Sequence, residues 1–484
     1  MEMKHWKGLL VLGIILHILA AMLMPLGLDA HVHATYVSDE MDDGEGHLEW
    51  GELRQDSPSG STISEVPADD KWFAWHTVMQ IWFTIFSIST TSLHLLGLIG
   101  GLSCLAVIFY CTRDLFGIDN SIKLTALASI YPPLIRATGR VYQESIILLL
   151  VTISAYAIIK GLRDEKKVSP WFFIPVGIIL VIISFKGMPL WYFLPAIVAL
   201  VLAKRMKMNP IQFLLIAILG QFLVMNRNGI SYGNENVLPA LITACIAYFL
   251  YVKCGMLLFR QPDGDENKHS ESLSKGSTMI GALLVGWIAA LWVTEAVALE
   301  KDFIDIIRSF RHNGRYLSLL LIPIWYSVML RSEAKGINFP SKSKNIAVVF
   351  ISLLLIVNIT LLGMTGERGT DVIGQHLKDE INSEEDILFI SDSPLSMHRL
   401  YSIKFSMDPD SDGQNNGFWR TSESLWQSEL LECSHFENVN WIIKYHTGDE
   451  IKIDGWVEVD FEGSDKVSEN YRLYTWGGNS ERCA

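Results

Sequence analysis

The chain has 484 residues, half of them apolar and only 19% charged. That composition excludes a simple soluble enzyme, a disordered chain and a small disulfide-stapled scaffold. The net charge of −13 arises almost wholly after about residue 366, where 24 acidic residues face 10 basic ones; an acidic surface of this kind does not suit nucleic acid or anionic lipid as a partner.

Apolar runs of about 16–22 residues recur along the chain, each long enough to cross a bilayer core of roughly 30 Å as a helix. The first, at 8–26, leads into no clear small-x-small cleavage site and reads as an anchor. Further spans are expected at 92–111, 121–137, 142–160, 171–185, 187–203, 210–226, 237–258, 278–299, 315–331 and 345–364, about eleven in all. With the N-terminus inside, the inner loops hold 18 Lys and Arg against 10 outside, which satisfies the positive-inside bias. The odd number of spans then puts the acidic C-terminal segment outside. The expected fold class is a polytopic α-helical membrane protein with a small C-terminal extracytoplasmic α/β domain. Its boundaries are 1–365 for the membrane part and 366–484 for the acidic part.

The first outer loop, 29–91, opens with a hydrophilic stretch to Lys71 that carries 12 acidic and 2 basic residues. Its middle, Asp56 to Asp70, is rich in Ser, Gly and Pro, and its composition predicts mobility. The aromatic segment Trp72 to Ser89 reads as an amphipathic helix at the outer interface, because a span there would invert every later loop. Gly187 and Pro189 mark a hairpin between two short spans. In the acidic segment, strands are expected at 385–390, 441–445 and 456–461. A helix is expected around 423–433, with Leu425, Trp426, Leu430 and Leu431 as its apolar stripe. Cys104, Cys111, Cys245 and Cys254 lie in apolar runs as small core residues; Cys433 and Cys483 can pair if their segment is extracytoplasmic.

Three constellations carry candidate chemistry. Asp29 stands at the outer mouth of the first span, where a partly desolvated carboxylate can serve as a general base; it can equally start a hydrophilic loop or cap a helix. His31 and His33 alternate with it, which on an extended strand would give three ligands for a divalent metal. The other reading has both histidines orienting the carboxylate or an acceptor. Between the third and fourth spans, Glu144 enters an apolar helix, and Arg136 and Arg140 are its natural partners. These arginines either clamp two helices or grip a lipid phosphate. The last outer loop holds Arg308, Arg311, His312 and Arg315 behind an apolar stripe, suited to headgroup snorkelling or to substrate. No Walker loop, dinucleotide fingerprint, nucleophile elbow or zincin motif is present.

The order of these features resembles the GT-C superfamily of integral-membrane glycosyltransferases, a group that includes protein O-mannosyltransferases and the aminoarabinose transferase of lipid A. The resemblance rests on Asp29 after the first span, on Leu93-His94-Leu95-Leu96-Gly97-Leu98, and on the Pro132 to Glu144 stretch between the third and fourth spans. Ala30 stands where an adjacent second acid is common in that family, and Tyr36 lies further on, which leaves the Asp39-Glu40 pair as an alternative base. The resemblance implies a polyprenyl-phosphate sugar donor, dolichyl- or undecaprenyl-linked, and inverting transfer to a protein, glycan or lipid acceptor at the extracytoplasmic face of the plasma membrane. Asp29 and Glu144 would be catalytic. Arg136, Arg140, Arg308, Arg311 and Arg315 would bind the donor phosphate, and His31, His33, Tyr36 and His94 would orient the acceptor. A transporter or flippase for a lipid-linked sugar is the alternative. Mid-span acidic residues, which that alternative favours, are nearly confined to Glu295.

Overall fold

The structure is a computed structural model that describes residues 2–43, 53–57, 60–63, 72–164, 169–186 and 343–363, isolated positions between 319 and 330, most of 368–478, and Cys483. The spans expected at 187–203, 210–226, 237–258 and 278–299, the Gly187–Pro189 hairpin, Cys245, Cys254, Glu295, Arg308, Arg311, His312 and Arg315 lie outside the described residues, as does most of 315–331.

The membrane part begins with α1 (Met3–Leu23), followed by α2 (Leu28–Asp43), a short hairpin of β1 (Leu53–Ser57) and β2 (Gly60–Ile63), and α3 (Phe73–Ile85). Then come α4 (Thr90–Phe116), α5 (Ile118–Ser129), α6 (Pro132–Gly139), α7 (Glu144–Arg163), α8 (Phe173–Lys186) and α9 (Ser343–Gly363). Three of these, Met3–Leu23, Thr90–Phe116 and Glu144–Gly161, are long and apolar enough to cross a membrane, which makes this a membrane protein with several apolar helices. α4 starts where the Ser89 side chain accepts from the Ser92 backbone N–H, and it stops at Gly117, whose φ of 85° suits glycine.

Two expectations in this part are corrected. The span read at 121–137 is broken into α5 and α6, because Tyr131 precedes Pro132-Pro133 and is held extended. The break exposes the Ile130 carbonyl inside an apolar packing zone, and Asn358 of α9 donates to it at 2.8 Å. A polar residue in an apolar helix thus has a structural task. The second correction is the loop after Asp29. Its start is helical (α2), and Leu53–Ser57 and Gly60–Ile63 pair as strands within and beside the stretch read as mobile.

α6 is a stub wedged between α1 and α4. Its approach is close enough that a Cβ on Gly97 would stand 2.4 Å from the Thr138 carbonyl oxygen, and one on Gly139 would stand 2.7 Å from that of Ala20. His17, fully buried in α1, meets the Thr138 hydroxyl at 2.8 Å. The aromatic segment is a helix as read. α3 buries Trp75, His76, Met79 and Phe83 and leaves Phe73, Ile81 and Ile85 exposed.

Beyond α9 the chain forms an α/β unit: α10 (Gly369–Glu380), β3 (Asp386–Ser391), α11 (Ser396–Met407), β4 (Gly417–Arg420), α12 (Trp426–Glu432), β5 (Val439–Tyr445), β6 (Trp456–Val459), α13 (Asp465–Asn470) and β7 (Tyr471–Trp476). The sheet order is β4-β3-β5-β7-β6, with β3 parallel to both its neighbours and β7 antiparallel to β5 and β6. β3 is buried at every position, which explains its unbroken Ile-Leu-Phe-Ile run. α10 and α11 cover one face of the sheet and α12 the other. The three expected strands are β3, β5 and β6. The expected helix is α12, but only Trp426 and Leu430 of its stripe are buried, while Leu425 and Leu431 are exposed. Cys433 and Cys483 form a disulfide.

This unit docks on α2 through α11. Lys404 Nζ lies 3.0 Å from Asp39 Oδ1, both side chains being almost fully buried. Ser38 donates to the Pro409 carbonyl at 2.7 Å, and Val32 and Tyr36 pack into the unit's core. Removing the cation strands a buried carboxylate, which typically costs about 3–5 kcal/mol. Lys404→Met is therefore expected to lower the melting temperature of the detergent-solubilised protein strongly. Asp39→Asn combined with Lys404→Met is expected to recover part of that loss.

Candidate active site

The turn between α6 and α7 is the hub of the candidate site. Val141 adopts a φ of 57°, a conformation that costs a β-branched residue energy and persists only where packing enforces it. The enforcing contacts are visible. Val141 is 2% exposed, its neighbour Tyr142 packs on Gly27, and the Gly27 N–H donates to the Arg140 carbonyl at 2.9 Å. Arg140, Tyr142, Gln143 and Glu144 are thereby held against the start of α2. Glu144 is fully buried in the first turn of α7.

Because α2 is a helix, Asp29 and His33 share one face a turn apart, and His31 points elsewhere. The extended-strand arrangement of Asp29, His31 and His33 as a metal site is therefore corrected. Each histidine has other partners. The Gln143 amide nitrogen donates to His33 Nε2 at 3.1 Å, so His33 Nδ1 carries the proton and donates to His76 Nε2 at 3.0 Å. His76 stacks on Tyr36, ring centroids 4.5 Å apart. His31 Nδ1 lies 3.1 Å from the Gly27 carbonyl, and His31 Nε2 lies 3.5 Å from Asp371 Oδ1 of α10. Burial, reinforced by the Arg368 charge, keeps His31 well below the ordinary histidine range. Asp371 is shifted upward by burial, against the pull of Arg368 and of the Ser402 and Ser406 hydroxyls. Asp29 faces His398 of α11, Oδ1 to Nε2 3.9 Å, and keeps a side chain 39% exposed.

The structure brings Asp29, His31, His33, Tyr36, Arg140 and Glu144 into one contiguous region. His94, in α4, lies near the Gly139 backbone. Arg136 lies in the last turn of α6. Asp39, the alternative base, is instead engaged by Lys404 at the docking contact, and Glu40 is half-buried at the neighbouring position. Among the described residues no group of three His, Cys, Asp or Glu side chains is disposed to hold a metal ion.

Sequence reasoning missed Gln143, His76, Arg368, Asp371, His398 and Ser402. Arg368 alone left a signal, being a cation directly behind the last apolar run. It was submerged in the acidic segment's negative total.

No protein-family model and no curated protein matches the chain. Among solved structures it is similar to ArnT from Cupriavidus metallidurans bound to undecaprenyl phosphate, at 11% identity and a TM-score of 0.44 over 99% of both chains. It is likewise similar to the apo state of that protein, at 12% identity and a TM-score of 0.45 over 97% of this chain and 98% of the other. A third similarity is to the arabinofuranosyltransferase AftD from Mycobacteria, at 10% identity and a TM-score of 0.36; the whole of this chain spans 42% of AftD.

Burial lowers His76 to about 4, against an ordinary 6.5. The unfolded chain therefore binds a proton that the folded protein refuses, and stability present above pH 6.5 is lost as pH falls from 6.5 towards 4. His31, facing Arg368 and Asp371, adds in the same direction. Thermal melting across pH 7 to 4 should show this decline, worth at most about 3 kcal/mol for His76. His76→Gln should flatten it in part.

Proposed function

We propose that this protein is a membrane glycosyltransferase that moves a sugar from a polyprenyl-phosphate donor to an acceptor at the extracytoplasmic face. The observation that carries the reading is the meeting of α2 and the α6–α7 turn. A half-exposed carboxylate, Asp29, and the cation Arg140 belong to two segments joined by the Gly27–Arg140 hydrogen bond. Transfer from a lipid phosphate needs such a pairing, with a base for the acceptor hydroxyl and fixed positive charge for the leaving phosphate.

Asp29, exposed enough to meet an acceptor, takes the hydroxyl proton as its oxygen attacks the anomeric carbon on the face opposite the phosphate, which inverts the configuration. His398 beside Asp29 can orient it. Arg140 and Arg136 bind the departing phosphate, helped by Arg308, Arg311 and Arg315. Glu144, buried at the start of α7, adjoins the turn that carries Arg140. His31, His33, Tyr36 and His94 set the shape of the acceptor side. The donor arrives by lateral diffusion, so the site needs no nucleotide pocket. The topology that fits this chemistry has the N-terminus cytoplasmic and residues 366–484 outside as one docked domain.

Asp29→Asn keeps the size and polarity of the side chain and removes its basicity. In reconstituted membranes supplied with a radiolabelled polyprenyl-phosphate sugar, it is expected to reduce transfer by about 10²–10⁴-fold with donor binding little changed. Undiminished transfer by correctly inserted Asp29→Asn would remove Asp29 from the mechanism.

A further inference from the structure

α11 meets α2 along a stripe of residues at helical spacing, His398, Ser402 and Phe405. The inner members are buried and have structural tasks. Ser402 Oγ lies 3.3 Å from His31 Nδ1, Phe405 meets the same ring edge-on with centroids 5.7 Å apart, and Lys404 beside them pairs with Asp39. His398 ends the stripe differently. Its side chain is 38% exposed and faces Asp29, itself 39% exposed, with Nε2 3.9 Å from Oδ1. A pair so open to water contributes little to docking, because an exposed ion pair gains little over separate hydration. The backbone that carries His398 is nevertheless fixed on both sides. Ser396, buried, donates its hydroxyl to that of Ser391 at 2.9 Å. Arg399 Nη1 donates to the Tyr471 hydroxyl at 2.9 Å, and its guanidinium lies 4.0 Å over the Tyr445 ring. A rigid support thus presents an exposed imidazole to an exposed carboxylate.

We propose that His398 is a positioning residue for Asp29, so that the base of the transfer reaction is complete only when the α/β unit is docked. The inference rests on the proposed transfer and adds that its base is divided between the two parts of the chain. α2 supplies the carboxylate, and α11 supplies the group that holds it. At 3.9 Å the two lie beyond direct hydrogen-bond reach, a gap that a small side-chain rotation or a bridging water closes. Engaging Oδ1 from the α/β side leaves Oδ2 to take the acceptor's proton. A half-exposed carboxylate otherwise samples several rotamers, and a misplacement of about 1 Å at a reacting centre can cost about 10²-fold in rate. The other histidines near Asp29 on α2 have different partners. His31 meets the Gly27 carbonyl and Asp371, and His33 meets Gln143 and His76. The balance of the reaction is unaltered. The hydroxyl proton passes to Asp29, the acceptor oxygen bonds the anomeric carbon, and the phosphate departs with the electron pair of the broken bond.

The test uses the full-length protein in reconstituted membranes supplied with a radiolabelled polyprenyl-phosphate sugar, and reads kcat and donor KM separately. His398→Leu is expected to lower kcat by about 10–10²-fold, with donor KM and melting temperature little changed. His398→Gln, whose amide can still donate to a carboxylate, should recover part of the loss. Added imidazole should restore turnover to His398→Gly and leave Asp29→Asn inactive. An unchanged kcat in His398→Leu overturns the proposal. So does a kcat loss that tracks a fall in melting temperature across the three His398 variants without imidazole rescue, since that marks a purely structural histidine. A readout free of turnover is the ring signal of His398 in isotope-labelled protein, assigned by its loss in His398→Gln. It is expected to move in Asp29→Asn, and a signal that stays in place overturns the pairing. If the signal moves but the wild type transfers no sugar, the pairing stands and the glycosyltransferase reading fails.

Discussion

Lys404 and Asp39 are separated by 365 positions in the chain, yet they form a buried ion pair at 3.0 Å. A pair so removed from water gains little over apolar packing of the same shape, but it is intolerant of separation, because either charge left alone in that place is costly. The contact therefore specifies position more than it adds stability. It holds α11 on α2 at one register, and that register delivers His398 to Asp29, Ser402 to His31 and Asp371 in the first turn of α10 to His31. Thr35 and Ser38 of α2, which bond the Tyr401 and Pro409 carbonyls, lie within about one turn of Asp39.

A second constraint acts from within the membrane part. Pro132 and Pro133 end α5 early, and the residue before them is driven to an extended conformation. Had 121–137 run on as one span, its outer end would have delivered the chain straight into α7. The break instead creates α6, and closing the chain from this stub into α7 demands the positive φ at Val141. The cost of both irregularities is offset locally. Asn358 takes up the carbonyl exposed at Ile130, and the packing around Val141 and Tyr142 holds the strained turn.

The sequence made the apolar helices and the buried strand β3 readable, because each is written in local composition or period. It misled where local pattern is ambiguous. Asp29-Ala30-His31-Val32-His33 alternates as a strand does, but the first intrahelical bonds to the Gly27 carbonyl and burial of Ala30, Ala34 and Val37 at helical spacing decide for α2. The partners Gln143, His76 and Asp371 were not legible at all. A neutral histidine needs only one donor and one acceptor, and any polar side chain brought near by the fold can supply them, so no spacing rule announces which will.

The charge of the α/β unit sharpens the point. Taken whole it is strongly acidic, with 24 acidic against 10 basic residues after about 366, and on that basis alone it should repel an anionic lipid headgroup. Three of its ten cations nevertheless have specific settings: Lys404 pairs with Asp39 of α2, Arg368 precedes α10, and Arg399 of α11 lies 4.0 Å over the Tyr445 ring and bonds to Tyr471. Exposed acidic groups are screened over roughly 8–10 Å at ordinary ionic strength, while a desolvated guanidinium acts at contact distance with little screening. The two fields therefore do different jobs. The acidic exterior sets the unit's potential over that range. The buried cation Lys404, paired with Asp39, acts only across the contact it makes. Net charge describes the first of these effects, and only the placement of individual residues describes the second.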